Sequence, residues 1–170
     1  VEIGPCGLPL DASSKASLNE NRDQYARAAR LFEGEQFDAF FLNGFTTASD
    51  LLCALMGVRQ VSDMPAFASV DVLADGTLAS GRGTLEEACA IMGEYGASVA
   101  GFSTTSGIED ACALAKRAEA ACDLPILVQL AVAEHKPKQG GPTDANPYYC
   151  PDAVVEAAVR LRASGVQFLR

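Results

Sequence analysis

Five times over, this chain runs from a short apolar stretch, through a glycine-containing turn, into a helix with its own start signal. Ser17-Leu18-Asn19-Glu20, Thr84-Leu85-Glu86-Glu87 and Ser106-Gly107-Ile108-Glu109 read as capping boxes. In such a box the hydroxyl accepts from the third backbone N–H and the glutamate reaches back to the cap N–H. Thr47-Ala48-Ser49-Asp50 is a weaker version, and the fifth helix starts at Pro151, where a missing N–H costs nothing. Leu51, Ala54, Leu55 and Val58 show the apolar spacing of one helix face, as do Leu85, Ala88, Cys89 and Met92, and Ile108, Ala111, Cys112 and Ala115.

Between the helices lie nearly continuous apolar runs: Phe37 to Leu42, Ala66 to Val72, Ser98 to Phe102, Ile126 to Val132 and Val166 to Leu169, with Val1 to Gly4 ahead of them. Apolar residues at consecutive positions fit strands buried on both faces, as in a parallel sheet. The expected class is therefore α/β, a parallel (βα) repeat of six strands and five or more helices, all crossovers right-handed. Strand starts recur at a mean spacing of roughly 33 residues, so eight units would need roughly 260, near the usual length of a (βα)8 barrel. The reading is a partial TIM-type barrel, one domain over 1–170, two units short of closure. A doubly wound sheet is the rival, but no G-x-G-x-x-G follows any strand and no P-loop is present. In a (βα) barrel the loops after the strands carry the chemistry, so function rests on the residues found there.

Composition narrows the partners. With 13 basic and 22 acidic residues the net charge is −9, which argues against a nucleic-acid or anionic-membrane surface. No stretch is long and uncharged enough to span a bilayer. No leader sequence is read ahead of Val1, and the expected compartment is cytoplasmic. The six cysteines, Cys6, Cys53, Cys89, Cys112, Cys122 and Cys150, contain no C-x-x-C pair, so they are expected as reduced, packed thiols, with Cys6 and Cys150 in turns the more exposed. Ala133 to Cys150 is longer than an ordinary βα loop and reads either as a lid or as a structureless connection. Within it, Lys136 and Lys138 beside Gly140-Gly141 suit an anionic substrate or form a solvated basic loop. Cys6, Cys150 and His135 are a conceivable three-ligand metal set, against a solvated His135. Asp71, late in its strand, is either a general base or a structural carboxylate bonding the next loop.

Several segments, in order, resemble the homocysteine S-methyltransferase family. Ile3-Gly4-Pro5-Cys6-Gly7 looks like the family's G-S-I-G-P-x-G at its third strand. Ser13-Ser14-Lys15 and the helix bearing Tyr25 are similar to the family segment between its third and fourth strands. Phe40-Phe41-Leu42-Asn43-Gly44-Phe45-Thr46 resembles L-L-L-E-T-F-T, and Ala68-Ser69 with Asp75-Gly76-Thr77-Leu78 and Gly81 resembles A-S…D-G-x-x-x-x-G. Gly101-Phe102-Ser103-Thr104-Thr105-Ser106-Gly107 stands where the family has G-V-N-C-S-S-G.

The resemblance implies strands three to eight of a (βα)8 barrel and methyl transfer to a thiol. It also implies a zinc held by three cysteines, which lowers the pKa of the acceptor thiol. Here Thr104 takes the first cysteine position, Asn43 replaces the acidic residue of E-T-F, and Ala131-Val132-Ala133 replaces N-A-G. Zinc is thus expected from the family, but no cofactor and no tightly held metal are expected in this chain, nor detectable methyl transfer. The alternative is a zinc-less, barrel-derived binding or scaffold protein. The substrate-site residues this reading assigns are Gly4, Cys6, Asn43, Asp71, Ser103, Thr104 and Gln129, with a small thiol and a methyl donor as partners. Exposed edges at Val1–Gly4 and Val166–Leu169, guarded only by Glu2 and Arg170, predict self-association through the open barrel edges.

Overall fold

The computed structural model describes residues 1–132 and 147–170. Among them a single sheet has the order β1 (Glu2–Ile3), β2 (Phe40–Phe45), β3 (Ala66–Asp71), β4 (Val99–Thr104), β5 (Ile126–Leu130) and β6 (Phe168–Leu169). Every pairing is parallel. Between consecutive strands run α1 (Lys15–Arg30), α2 (Ala48–Arg59), α3 (Leu85–Glu94), α4 (Ile108–Ala121) and α5 (Pro151–Ala163). The strands succeed one another without a reversal, which excludes the doubly wound alternative.

Alternation along each strand sorts the side chains onto two faces. Phe40 and Leu42, Ala66, Ala68 and Val70, Ala100 and Phe102, and Ile126 and Val128 join one core with Leu55, Leu85, Met92 and Leu114 of the helices. All of these are essentially inaccessible to solvent. Intervening residues face the concave side of the sheet and are more open: Phe41 and Phe67 are half-buried and Phe168 is exposed. The continuous apolar runs therefore come from two different surfaces, one sealed by helices and one curved inward.

Helix starts agree with the sequence in three cases and differ in two. Thr84 Oγ1 accepts from the Glu87 N–H at 3.3 Å while Glu87 Oε2 accepts from the Thr84 N–H at 3.0 Å, a complete capping box. Thr47 caps α2 through the Asp50 N–H, and Pro151 opens α5 after Cys150. Ser17, however, lies inside α1. Ser14, in an extended conformation, is the cap and accepts from the Ser17 N–H. Ser106 is not a cap either: α4 begins after Gly107 with no side-chain cap bond. The first helix is capped a turn ahead of Ser17 and α4 one residue past Ser106, which displaces each hydroxyl from the cap position.

The second strand begins at Phe40, not Phe37. Phe37 instead packs edge-on against Phe32 at 6.2 Å and Phe40 at 4.8 Å. It runs on to Phe45 through an irregularity between Leu42 and Phe45, where Gly44 takes φ +80°, a conformation that side chains disfavour. The first and last strands are shorter than expected, two residues each. On the helical side, α1 and α2 approach so closely that a Cβ on Gly57 would lie 2.4 Å from the Arg22 carbonyl oxygen and 2.7 Å from the Tyr25 Cβ.

Candidate functional site

On the concave face, polar residues from five strands or strand ends meet in one hydrogen-bonded array. Gln129 of β5 is its hub. Its amide nitrogen donates to Ser69 Oγ of β3 at 2.7 Å and to Asn43 Oδ1 of β2 at 2.8 Å. The Asn43 amide nitrogen donates to Glu2 Oε1 of β1 at 2.7 Å. Arg170, directly after β6, reaches both ends: one guanidinium nitrogen donates to Glu2 Oε2 at 3.2 Å, the other to Glu2 Oε1 at 3.3 Å and Gln129 Oε1 at 3.4 Å. The same guanidinium lies 4.9 Å above the Phe41 ring. Hydrogen bonds from Asn43 and Arg170 hold the Glu2 carboxyl below its usual range. Gln129 and Ser69 are buried, while Glu2 and Arg170 are about half exposed, so the array runs from a dry floor to an open lip.

Two further polar groups flank it. Asp71 pairs in register with Ser103, and Ser103 with Gln129, which sets the three in neighbouring strands at one level. Burial pushes the Asp71 carboxyl above the usual carboxylate range. Among the described residues no side chain bonds that carboxylate. Its link to the next loop is through the backbone, where the Asp71 carbonyl accepts from the Ala79 N–H at 2.8 Å. Gly101, between Ser69 and Leu127 in register on β4, carries no side chain; a Cβ there would lie 3.0 Å from the Leu127 Cβ. On the other side of the array, Phe41, Phe67, Leu127, Phe168 and the Arg170 stem line an open apolar hollow of about 330 Å³, with Phe67 and Phe168 edge-on at 5.1 Å.

Of the seven residues the sequence assigned to the site, Asn43, Asp71, Ser103 and Gln129 therefore lie on one face, and Gly4 adjoins the Asn43 carbonyl. Cys6 and Thr104 are elsewhere. The Cys6 thiol donates to Asn21 Oδ1 of α1 at 3.2 Å, and its N–H donates to the Tyr25 hydroxyl at 2.9 Å. Tyr25 in turn donates to Asp50 Oδ1 at 2.6 Å, so Cys6 belongs to a polar cluster between α1 and α2. Thr104 has the outward parity of Phe102. It is buried, and its hydroxyl accepts from the Ser106 N–H at 3.1 Å, shaping the turn into α4. Cys6 and Cys150 are half-buried, no more open than Cys112 and Cys122. Glu2, Ser69 and Arg170 were not assigned. Their signal was present, since each has the inward parity of its strand, but Glu2 and Arg170 read as edge charges.

A larger hollow of about 840 Å³ lies at the rim, between the starts of α4 and α5. Tyr148 is buried there and its hydroxyl donates to the Ser106 carbonyl at 2.8 Å. Burial, with Cys112 and Asp110 nearby, pushes its phenol up to about 12. Its wall carries Glu109, Asp110, Asp152 and Glu156, none of which is in the seven-residue set. His135, Lys136, Lys138 and most of the expected lid lie outside the described residues.

Sheet order and parallel pairing define a fold of the (βα)-barrel type, here as an open six-stranded sheet. Known proteins agree with that class. The homocysteine methyltransferase MmuM from Escherichia coli, in its apo form, superposes with a TM-score of 0.69 at 13% identity, over 99% of this chain and 54% of that one. The carboxyl transferase domain of Rhizobium etli pyruvate carboxylase superposes with TM-scores of 0.54 with pyruvate and 0.55 with 3-hydroxypyruvate. Identities are 14% and 13%, each over 89% of this chain and 23% of that one. The chain thus spans about half the length of the methyltransferase, and the likeness is one of fold. No protein-family profile matches the sequence, and no curated protein matches it.

The zinc implied by the family resemblance does not fit the residues described. Thr104, at the first ligand position, is a poor zinc ligand and points away from the concave face. Among the described residues no three His, Cys, Asp or Glu side chains converge as a metal site needs. None of the described helices is long and apolar enough to cross a membrane.

Proposed function

We propose that this chain is a homocysteine S-methyltransferase-like domain whose concave face binds a small thiol-bearing amino acid. One observation carries the reading: Glu2, Asn43, Ser69, Gln129 and Arg170 form a single array beside an apolar hollow. A carboxylate and a guanidinium at one lip suit the ammonium and carboxylate of an amino acid, which would displace their mutual ion pair. The hollow suits the short apolar arm of the ligand. A fold shared with a homocysteine methyltransferase supports the same substrate class.

The reaction read from this site is attack by the acceptor sulfur on a donor methyl group. The S–H proton leaves for a base, the new S–C bond forms, and the electrons of the broken bond stay with the donor. Asp71 is the base this face offers, because a desolvated carboxylate holds a proton more strongly than a solvated one. Ser103, its register neighbour on β4, is the group this reading assigns to orient the sulfur.

Binding without turnover is the second reading, favoured by Thr104, whose hydroxyl is committed to the α4 turn. Two measurements separate them. Titration calorimetry with homocysteine should give saturable binding that Gln129→Ala weakens at least tenfold; no binding would overturn both readings. Methionine formation from betaine, S-methylmethionine or methyl-folate, tracked by mass spectrometry, separates the two: product above a no-protein blank that falls with Asp71→Asn would carry the first reading over the expectation of no detectable methyl transfer. Binding with no methionine would leave the second reading. Self-association through β1 and β6 belongs to the same proposal, and light scattering after size exclusion tests it, a monodisperse monomer being the adverse result.

A further inference from the structure

Glu2 lies on one edge strand of the sheet and Arg170 directly after the other, and those two strands do not pair. Their side chains nevertheless meet at the lip of the concave face, beside the hollow that Phe41, Phe67 and Phe168 line. Glu2 Oε1 is held twice, by the Asn43 amide at 2.7 Å and by Arg170 at 3.3 Å. Among the described residues the other oxygen, Oε2, has Arg170 alone as its partner, at 3.2 Å, and no second cationic side chain bonds Glu2. The Arg170 guanidinium is spread over Glu2, Gln129 and the face of the Phe41 ring. Glu2 therefore fills that guanidinium with a carboxylate of the chain's own.

Resting on the amino-acid reading of this face, we propose that Glu2 sets its specificity: it admits ligands that carry an ammonium beside their carboxylate and rejects simple apolar carboxylates. Any carboxylate that takes Arg170 must push Glu2 aside. Glu2 Oε2 then loses its only partner, and two carboxylates face one guanidinium. Both the repulsion and the unpaired charge are unfavourable. An amino acid brings its own compensation. Its ammonium pairs with Glu2 while its carboxylate pairs with Arg170, so one ion pair is exchanged for two. Discrimination comes from what the wrong ligand leaves unpaired. Both side chains are half exposed, which keeps the effect near about tenfold.

Titration calorimetry with two matched ligand pairs tests this: homocysteine with 4-mercaptobutanoate, and norleucine with hexanoate. Members of a pair differ only in the ammonium. Wild type should bind the amino acid of each pair about tenfold more tightly. Glu2→Gln keeps the shape and removes the charge. It should weaken both amino acids, strengthen both simple acids and bring each pair to within about twofold. Arg170→Ala should weaken all four. Glu2→Ala, which removes the carboxylate by truncation, is the second variant should Glu2→Gln fail to fold. Equal affinities within every pair that binds wild type, or a preference unchanged by the loss of Glu2, would overturn the proposal. Homocysteine bound without preference removes the role of Glu2 and leaves the amino-acid reading. A preference in the norleucine pair with neither thiol bound removes the thiol reading and leaves Glu2 as the selector. No binding of any of the four overturns both.

Discussion

The two faces of this sheet are built from the same strands and obey different chemistry. On the helix side, Phe102, Val70, Leu42 and Val128 are buried in one apolar core with residues of α2, α3 and α4. On the concave side, Glu2, Asn43 and Arg170 bond to one another and to the buried Gln129 across the sheet and stay partly open. Alternation along a strand assigns residues to both faces with equal rigour, yet only the first face gains most of its energy from removing surface from water. The second carries a hydrogen-bonded polar array beside an open apolar hollow. The sealed core and the polar array are separated here by the thickness of one sheet.

That separation is sharpest between two phenylalanines. Phe102→Ala on the sealed face should cost about 3–5 kcal/mol, from lost transfer energy and the cavity left behind. Phe67→Ala on the concave face should cost only about 1 kcal/mol, since its ring is half-buried and its main partner is the exposed Phe168. Urea denaturation of both variants checks this, and equal losses would erase the distinction between the faces.

Close packing of the helical layer gives the next largest effect. Gly57→Ala should destabilise by about 1–3 kcal/mol, because the added methyl meets backbone of α1 and not a flexible side chain. Thermal melts would register it, and a neutral result would mean that α1 can slide on α2.

Smallest, and specific to the concave face, is a pair of opposed pH responses. Asp71 is raised by burial, so the folded chain holds that proton to higher pH than the unfolded chain. Its contribution is full below the unfolded value and is lost as pH rises through the folded one. Asp71→Asn should therefore stabilise at neutral pH, with the gain vanishing in acid. Glu2 is lowered by the hydrogen bonds from Asn43 and Arg170, so its contribution is present above the unfolded value and is lost as pH falls through the folded one. Glu2→Gln should destabilise at neutral pH by less than about 1 kcal/mol, since both partners are half exposed, and should match wild type in acid. Denaturation midpoints across this pH range check both signs. Responses of the same sign would show that the array is not organised as described.

Local signals carried the architecture because each is satisfied within a few residues. Thr84 and Glu87 cap α3 as their spacing requires, and Leu85, Ala88, Cys89 and Met92 bury the face their periodicity marks. Where two hydroxyls compete for one helix start, as Ser14 and Ser17 do, spacing alone chose the wrong one, since the winner depends on where the preceding loop turns. Phe37 was read into β2 for its apolarity, and the aromatic cluster that draws it away is tertiary.

The sequence by itself determined a run of parallel strands with helices on one side, because hydrophobic period and cap chemistry are local properties. With the family resemblance it also marked Asn43, Ser103 and Gln129, and it marked Asp71 by its place late in its strand. Only the tertiary structure decided that Glu2 and Arg170, 168 positions apart, share one ion pair and that Gln129 joins them to Ser69. It also turned Thr104 toward the helices and gave Cys6 to α1. Parity says which way a side chain leaves its strand, but the partner it meets depends on how sharply the sheet curves, and curvature belongs to all six strands together.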